Sequence, residues 1–267
     1  MKNEMTLQEE YIYLHHKHHK QIRFYRIFFF VLFMAVWEFS SKAGIIDSFF
    51  FSSPSLVVKR FWTMCLDQSI FMHIGVTILE TIVSFLFVFF ISLILATLLW
   101  YSSSVAEVTE PYLVILNSLP KSALAPLFIV WLGTGMTTII VAGISVAVFG
   151  SVISFYTAFM QADKDKIKLI RTLGGSRKDA FSKVILPGSV PILLSTTKVN
   201  IGLSLVGVII GEFLAARQGL GYLIIYGSQV FQLDLVITSI ILLCIIAMIL
   251  YKSIQSLEHF IKKKASI

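Results

Sequence analysis

The chain has 267 residues, of which 57% are hydrophobic and 14% charged, and its mean hydropathy is +0.84. A soluble domain carries about a quarter charged residues, so an ordinary soluble globular protein is excluded. The net charge of +7 lies in the two tails and one central loop, beside apolar segments, with no recognition motif, so membrane topology explains it and nucleic acid is not an expected partner.

Residues 1–26 read as a basic tail on the cytoplasmic side. Its run His15 to His19 could gather a metal, but no carboxylate or cysteine completes a site, and a solvated juxtamembrane tail is the simpler reading. A first span follows at about 27–46; Glu38 and Lys42 lie beyond its apolar run without a small-x-small cleavage site, so it is uncleaved. Glu38 and Lys42 have the i, i+4 order that favours a helical ion pair. Ser53 as N-cap and Pro54 at the first helical position start a short interfacial helix.

The second span covers about 74–100 and contains Glu80. An intramembrane carboxylate is either functional or a paired structural group. The third, about 112–132, is bent or broken because Pro111, Pro120 and Pro126 interrupt it, and Gly133 to Gly135 form a tight outer turn. The fourth span is about 137–160. Cys65 and Cys244 give neither metal spacing nor a disulfide framework, and Cys244, inside the last apolar segment, reads as a small packing residue.

Between the fourth and fifth spans lies a basic island, residues 161–183, with seven of the 22 Lys and Arg residues. A loop this basic faces the cytoplasm. Lys166 to Leu173 is a helical run, Gly174-Gly175 a break, and Ser176 to Ile185 a second helical run that Pro187 should stop. A helix-turn-helix here reads as a docking element for another protein. In the fifth span, about 190–211, Thr196, Asn200, Ser204, Gly207 and Gly211 recur at helical spacing. This face of small and polar groups packs on another helix, lines a polar route, or does both. An outer loop at 211–234 and a sixth span at about 235–250, with an apolar continuation toward 257, come before Lys262 to Lys264. Six spans place both termini and the basic island on one side, which also holds the heavy Lys and Arg clusters.

No phosphate-binding glycine loop, zinc motif or nucleophile triad is present, so no catalytic or metal residues are assigned. Gly174, nine residues, then Val184-Ile185-Leu186-Pro187 resembles the Gly-x9-Ile-x-Leu-Pro core of the cytoplasmic loop in permeases of bacterial ABC importers. Leu119 to Pro126 running into Phe128 to Gly135, and Gly211 to Tyr222, are similar to the nitrate/sulfonate/taurine branch of that family. The resemblance covers about 74–262.

The resemblance implies an all-α integral membrane protein of the type I ABC importer permease kind, with six transmembrane helices and a cytoplasmic coupling loop at 161–188. The parts are a tail at 1–26, a first helix and outer segment at 27–73, a permease core at 74–262 and a tail at 263–267. It also implies a multi-pass protein of the cell membrane that pairs with a second permease copy, as a homodimer. Two ATPase subunits, holding ATP and Mg, would dock on Lys168, Arg171, Gly174, Gly175, Ser176, Val184, Leu186 and Pro187, and an extracytoplasmic binding protein would deliver a small solute, such as a sulfonate or nitrate. This chain would bind no cofactor. The family loop opens with Glu-Ala-Ala where Lys168, Leu169 and Ile170 stand here, so an acidic contact to the ATPase would fall to Asp163 or Asp165. Without an ATPase the same pattern would describe a channel or scaffold subunit whose basic island meets lipid headgroups.

Overall fold

The computed structural model describes the backbone of residues 7–265. The side chains of residues 7–14, 16, 17, 19, 264 and 265 lie outside the described set, and with them much of the His15–His19 run and of the 263–267 tail. Every described element is a helix: α1 (Leu7–Lys42), α2 (Ser48–Phe51), α3 (Pro54–Leu66), α4 (Ser69–Tyr101), α5 (Ser103–Ser118), α6 (Lys121–Leu132), α7 (Met136–Met160), α8 (Lys164–Thr172), α9 (Arg177–Ala180), α10 (Leu186–Ala215), α11 (Leu220–Gln229) and α12 (Leu233–Ala265), with a π-helical turn at Phe181–Ile185.

In lipid the backbone polar groups must be satisfied within each segment, which is why apolar runs of this length become helices. The 33 residues of α4 span about 50 Å at 1.5 Å per residue, more than a bilayer core. Four stretches are long and apolar enough to cross: α4, α7, the continuous 177–215 segment and α12. A fifth is the α5–α6 pair, bent by 96°. The count of six is therefore not reached by length and composition. The first expected span lies in α1, whose apolar run Ile27 to Trp37 is flanked by charged residues on both sides.

The break between α5 and α6 sits at Pro120 alone; Pro111 and Pro126 are accommodated inside their helices. Leu119 is extended (φ −62°, ψ 139°), as a residue before proline prefers. The carbonyls freed at the end of α5 are capped by one ammonium. Lys121 Nζ donates to Asn117 O at 3.0 Å, Leu119 O at 3.1 Å and also to Leu116 O.

Helices α4, α7 and α10 form the central layer, and α12 packs on α10 together with α11 and α3. At the end of the bundle remote from the basic island, Arg60 of α3 is salt-bridged to Asp234 of α12 at 2.7 Å. Near α1's end, Glu38 pairs with Lys42 at 2.8 Å and accepts the Ser55 N–H at 3.0 Å, joining α1 to α3. Ser53 caps α3 as its sequence requires. The sides of the bundle expose Phe87, Phe90, Ile94, Ile241, Ile245 and Met248, a surface suited to acyl chains. Cys244 is on that exposed side, not packed in the core as expected.

Two expected boundaries move. The 211–234 segment is not a loop: α10 runs on to Ala215 and α11 occupies Leu220–Gln229. Nor does Pro187 end the second loop helix. The turn before it is π-helical, Leu186 N–H bonding back to Phe181 O, and Pro187 falls in the first turn of α10, where the ladder changes register and its missing N–H is tolerated.

Candidate functional site

The basic loop is built by local chemistry. Asp163 caps α8, accepting from Asp165 N at 2.9 Å and Lys166 N at 3.2 Å. The helix ends in a Schellman motif. Gly174 (φ +79°) donates to Arg171 O at 3.0 Å and Gly175 donates to Ile170 O at 2.9 Å. Ser176 and Asp179 form a capping box for α9, with Ser176 N to Asp179 Oδ2 at 2.9 Å and Asp179 N to Ser176 Oγ at 3.2 Å. Both halves of the expected helix-turn-helix are therefore present around the expected break.

This loop is fastened to the bundle by an aromatic cluster that the sequence did not disclose. The Arg177 guanidinium lies 5.1 Å from the Trp100 ring and 5.9 Å from the Tyr101 ring, and donates to Trp100 O at 3.1 Å. The Phe181 ring packs against Trp100 (5.2 Å), Phe159 (5.4 Å) and Tyr101 (5.7 Å). Ile185 is fully buried below them, and Ser189 Oγ donates to Ala158 O at 3.1 Å. Only the position of Trp100-Tyr101 at the end of a span, where aromatic belts occur, could have signalled this anchor.

Of the residues expected to couple, Lys168, Arg171, Gly174, Ser176 and Pro187 are exposed, while Gly175, Val184 and Leu186 are half-buried. Leu169 of α8 (57% exposed) and Leu173 at its C-cap (75% exposed) stand one turn apart among these charges. The loop thus offers an apolar tip framed by cations.

The stripe on α10 is placed differently. Asn200, Ser204, Gly207 and Gly211 are buried and Thr196 is half-buried. Asn200, Gly207 and Gly211 face α7 of the same chain. A Cβ at Gly207 would lie 2.7 Å from Gly143 Cα and 2.8 Å from Ala142 O, and one at Gly211 would lie 2.8 Å from Ile139 Cα. Ser151 Oγ of α7 bonds to Asn200 Oδ1 at 2.7 Å. At these positions the stripe packs on α7, which is the helix-packing reading of this face.

At the remote end, α4 and α10 bring together two carboxylates. Glu80 is 2% and Glu212 1% exposed, and Glu80 stands one helical turn after Thr77, the α4 residue whose hydroxyl meets Glu212. Glu212 accepts from Thr77 Oγ1 at 2.6 Å and from Gly221 N–H. The Leu220 N–H donates to Thr77 Oγ1 at 2.9 Å. A Cβ at Gly219 would lie 2.3 Å from Glu212 Oε1, so the Gly219-Leu220-Gly221 segment needs glycine for its approach to this carboxylate. From the sequence Glu80 falls in a span and Glu212 at the start of an outer loop, and nothing in their spacing of 132 residues signals the pair.

A family model described as "Binding-protein-dependent transport system inner membrane component" matches residues 89–264. A probable ABC transporter permease protein of Haemophilus influenzae is 30% identical over 226 residues, covering 85% of this chain and 91% of that protein. A formylaminopyrimidine transport permease of Halalkalibacterium halodurans is 24% identical, covering 87% of this chain and 92% of that one. A putative aliphatic sulfonates transport permease of Bacillus subtilis is also 24% identical, covering 86% and 83%. The inward-facing MetNI methionine ABC transporter contains a chain that superposes with TM-score 0.62 at 20% identity, covering 72% of this chain and 95% of that one, and so shares the fold. The sequence motifs, the helical bundle with its capped basic loop and these matches agree: the chain belongs to the family of binding-protein-dependent transport system inner membrane components.

Proposed function

We propose that the chain is the permease subunit of an ATP-driven importer and that its 161–188 loop is where an ATPase docks. The observation that carries this reading is the combination of an exposed Leu169–Leu173 tip with a loop base locked into the Trp100, Tyr101, Phe159 and Phe181 cluster. A helix-turn-helix fastened in this way transmits a push at its tip to α4, α7 and α10 as rigid-body motion. Asp163 is occupied as a cap and lies 3.7 Å from Lys166 Nζ, which leaves Asp165 as the acid free to meet the ATPase.

In this reading the loop and both termini are cytoplasmic, in accord with the Lys and Arg distribution. Two copies of the chain pair, two ATPases bind ATP and Mg, and a separate binding protein delivers the solute. No cofactor is assigned to this chain. The solute we propose is a small anion such as a sulfonate or nitrate, or a related small organic compound, on the likeness to the sulfonate-transport relative. Affinity purification of the tagged chain from its native membrane tests the docking. The wild type should bring down an ATPase, and Gly174→Trp should insert in the membrane yet lose both the ATPase and transport. Unchanged ATPase recovery and transport by Gly174→Trp would contradict the assignment.

A further inference from the structure

The Glu80–Glu212 pair has no part in the docking function. Two carboxylates buried in one α4–α10 seam, one turn of helix apart through Thr77, are costly to ionise together without a cation between them. Neither is salt-bridged to any Lys, Arg or His among the described residues. The hydrogen bonds distinguish the two. Glu212 is an acceptor on both oxygens, from Thr77 Oγ1 and Gly221 N–H, which suits a carboxylate anion. Glu80 receives no such donors, and its Oε2 is buried without any partner.

We propose that the pair is a proton-binding site in which Glu80 carries a single proton and donates it to Glu212. The bound proton completes the joint that holds α4 against α10 and the Gly219–Gly221 segment. Its loss places two negative charges side by side in a buried site and loosens that joint. The other titratable groups at this end do not supply a counter-charge. His73 Nδ1 accepts the Gly219 N–H at 3.0 Å and its ring stacks on Tyr222 at 6.2 Å, with Tyr226 beyond at 5.9 Å. Arg217 is exposed in the turn before Gly219, and Arg60 of α3 is spent on Asp234 of α12. Cys65 of α3 is a free thiol packed against the apolar cluster that includes Met64, Ile70 and Leu220, and α7 brings no titratable group in its first half.

Infrared spectroscopy of the purified full-length protein in lipid nanodiscs tests this directly. The wild type at neutral pH should show the carbonyl stretch of a buried protonated carboxylic acid. That band should vanish in Glu80→Gln, whose amide supplies the same donor, and should persist in Thr77→Val, which removes a neighbour without touching the acid. Thermal unfolding should show wild-type stability declining from neutral to alkaline buffer and Glu80→Gln losing that decline while staying folded. Absence of the band in the wild type, or its survival in Glu80→Gln, overturns the proposal. So does a stability that follows sodium or potassium concentration at fixed pH, since a metal cation would then occupy the site in place of the proton.

Discussion

An added Cβ at Gly174 would meet nothing within 4 Å, whereas at Gly207 it would meet the backbone of α7 at 2.7 Å. The first glycine serves a turn, with φ +79°, and the second serves a contact between two helices. Both lie in segments that the sequence marks as functional, yet one belongs to an exposed, locally specified loop and the other to a buried internal seam. Mutations at the two sites should therefore fail in different ways. Loop changes should spare the bundle and cost coupling; seam changes should cost the bundle itself.

The largest effect is expected in the seam. Gly207→Leu should push α10 away from Gly143 and Ala142 and destabilise the protein by about 3 kcal/mol or more. A lowered unfolding temperature in detergent reads this out, while its exposed neighbour Val206→Leu should change stability by less than about 0.5 kcal/mol. If Gly207→Leu unfolds at the wild-type temperature, the seam is not closed as described. Next comes Arg177→Ala, which removes the stacking on Trp100 and Tyr101 and a hydrogen bond, about 1–2 kcal/mol of loop attachment. Transport per ATP hydrolysed should fall with the bundle intact; a matching loss of global stability would erase the distinction between loop and seam. The smallest effect should be Gly174→Ala, where only the left-handed backbone is penalised, by about 1 kcal/mol. Circular dichroism should show an unchanged helix content and the unfolding temperature should drop only slightly.

The same contrast explains what could be read from the sequence. The loop was legible because its determinants are neighbours in the chain: Asp163 caps α8, Gly174-Gly175 ends it, and Ser176 with Asp179 starts α9. Pro187 misled because the π-helical turn that accommodates it is not written in local composition. On α10 the spacing of Asn200, Ser204, Gly207 and Gly211 announced a covered face, but nothing in that spacing says whether α7, water or a second chain covers it. Helix α11 was missed because Gly219 and Gly221 read as turn residues, when their absent side chains make room for Glu212, which lies seven and nine residues earlier. The Trp100–Arg177 contact joins residues 77 apart and only folding reveals it.

In the proposed importer the tip of the 161–188 loop touches an ATPase in the cytoplasm. A single cysteine introduced by Leu173→Cys, after replacing Cys65 and Cys244, tests it by crosslinking in native membranes with a short thiol-to-amine reagent. The account predicts one crosslinked product joining this chain to an ATPase subunit, formed only when the reagent reaches the cytoplasmic side. Labelling of that cysteine from outside intact cells, or an active transporter whose cysteine yields no such product, would contradict it.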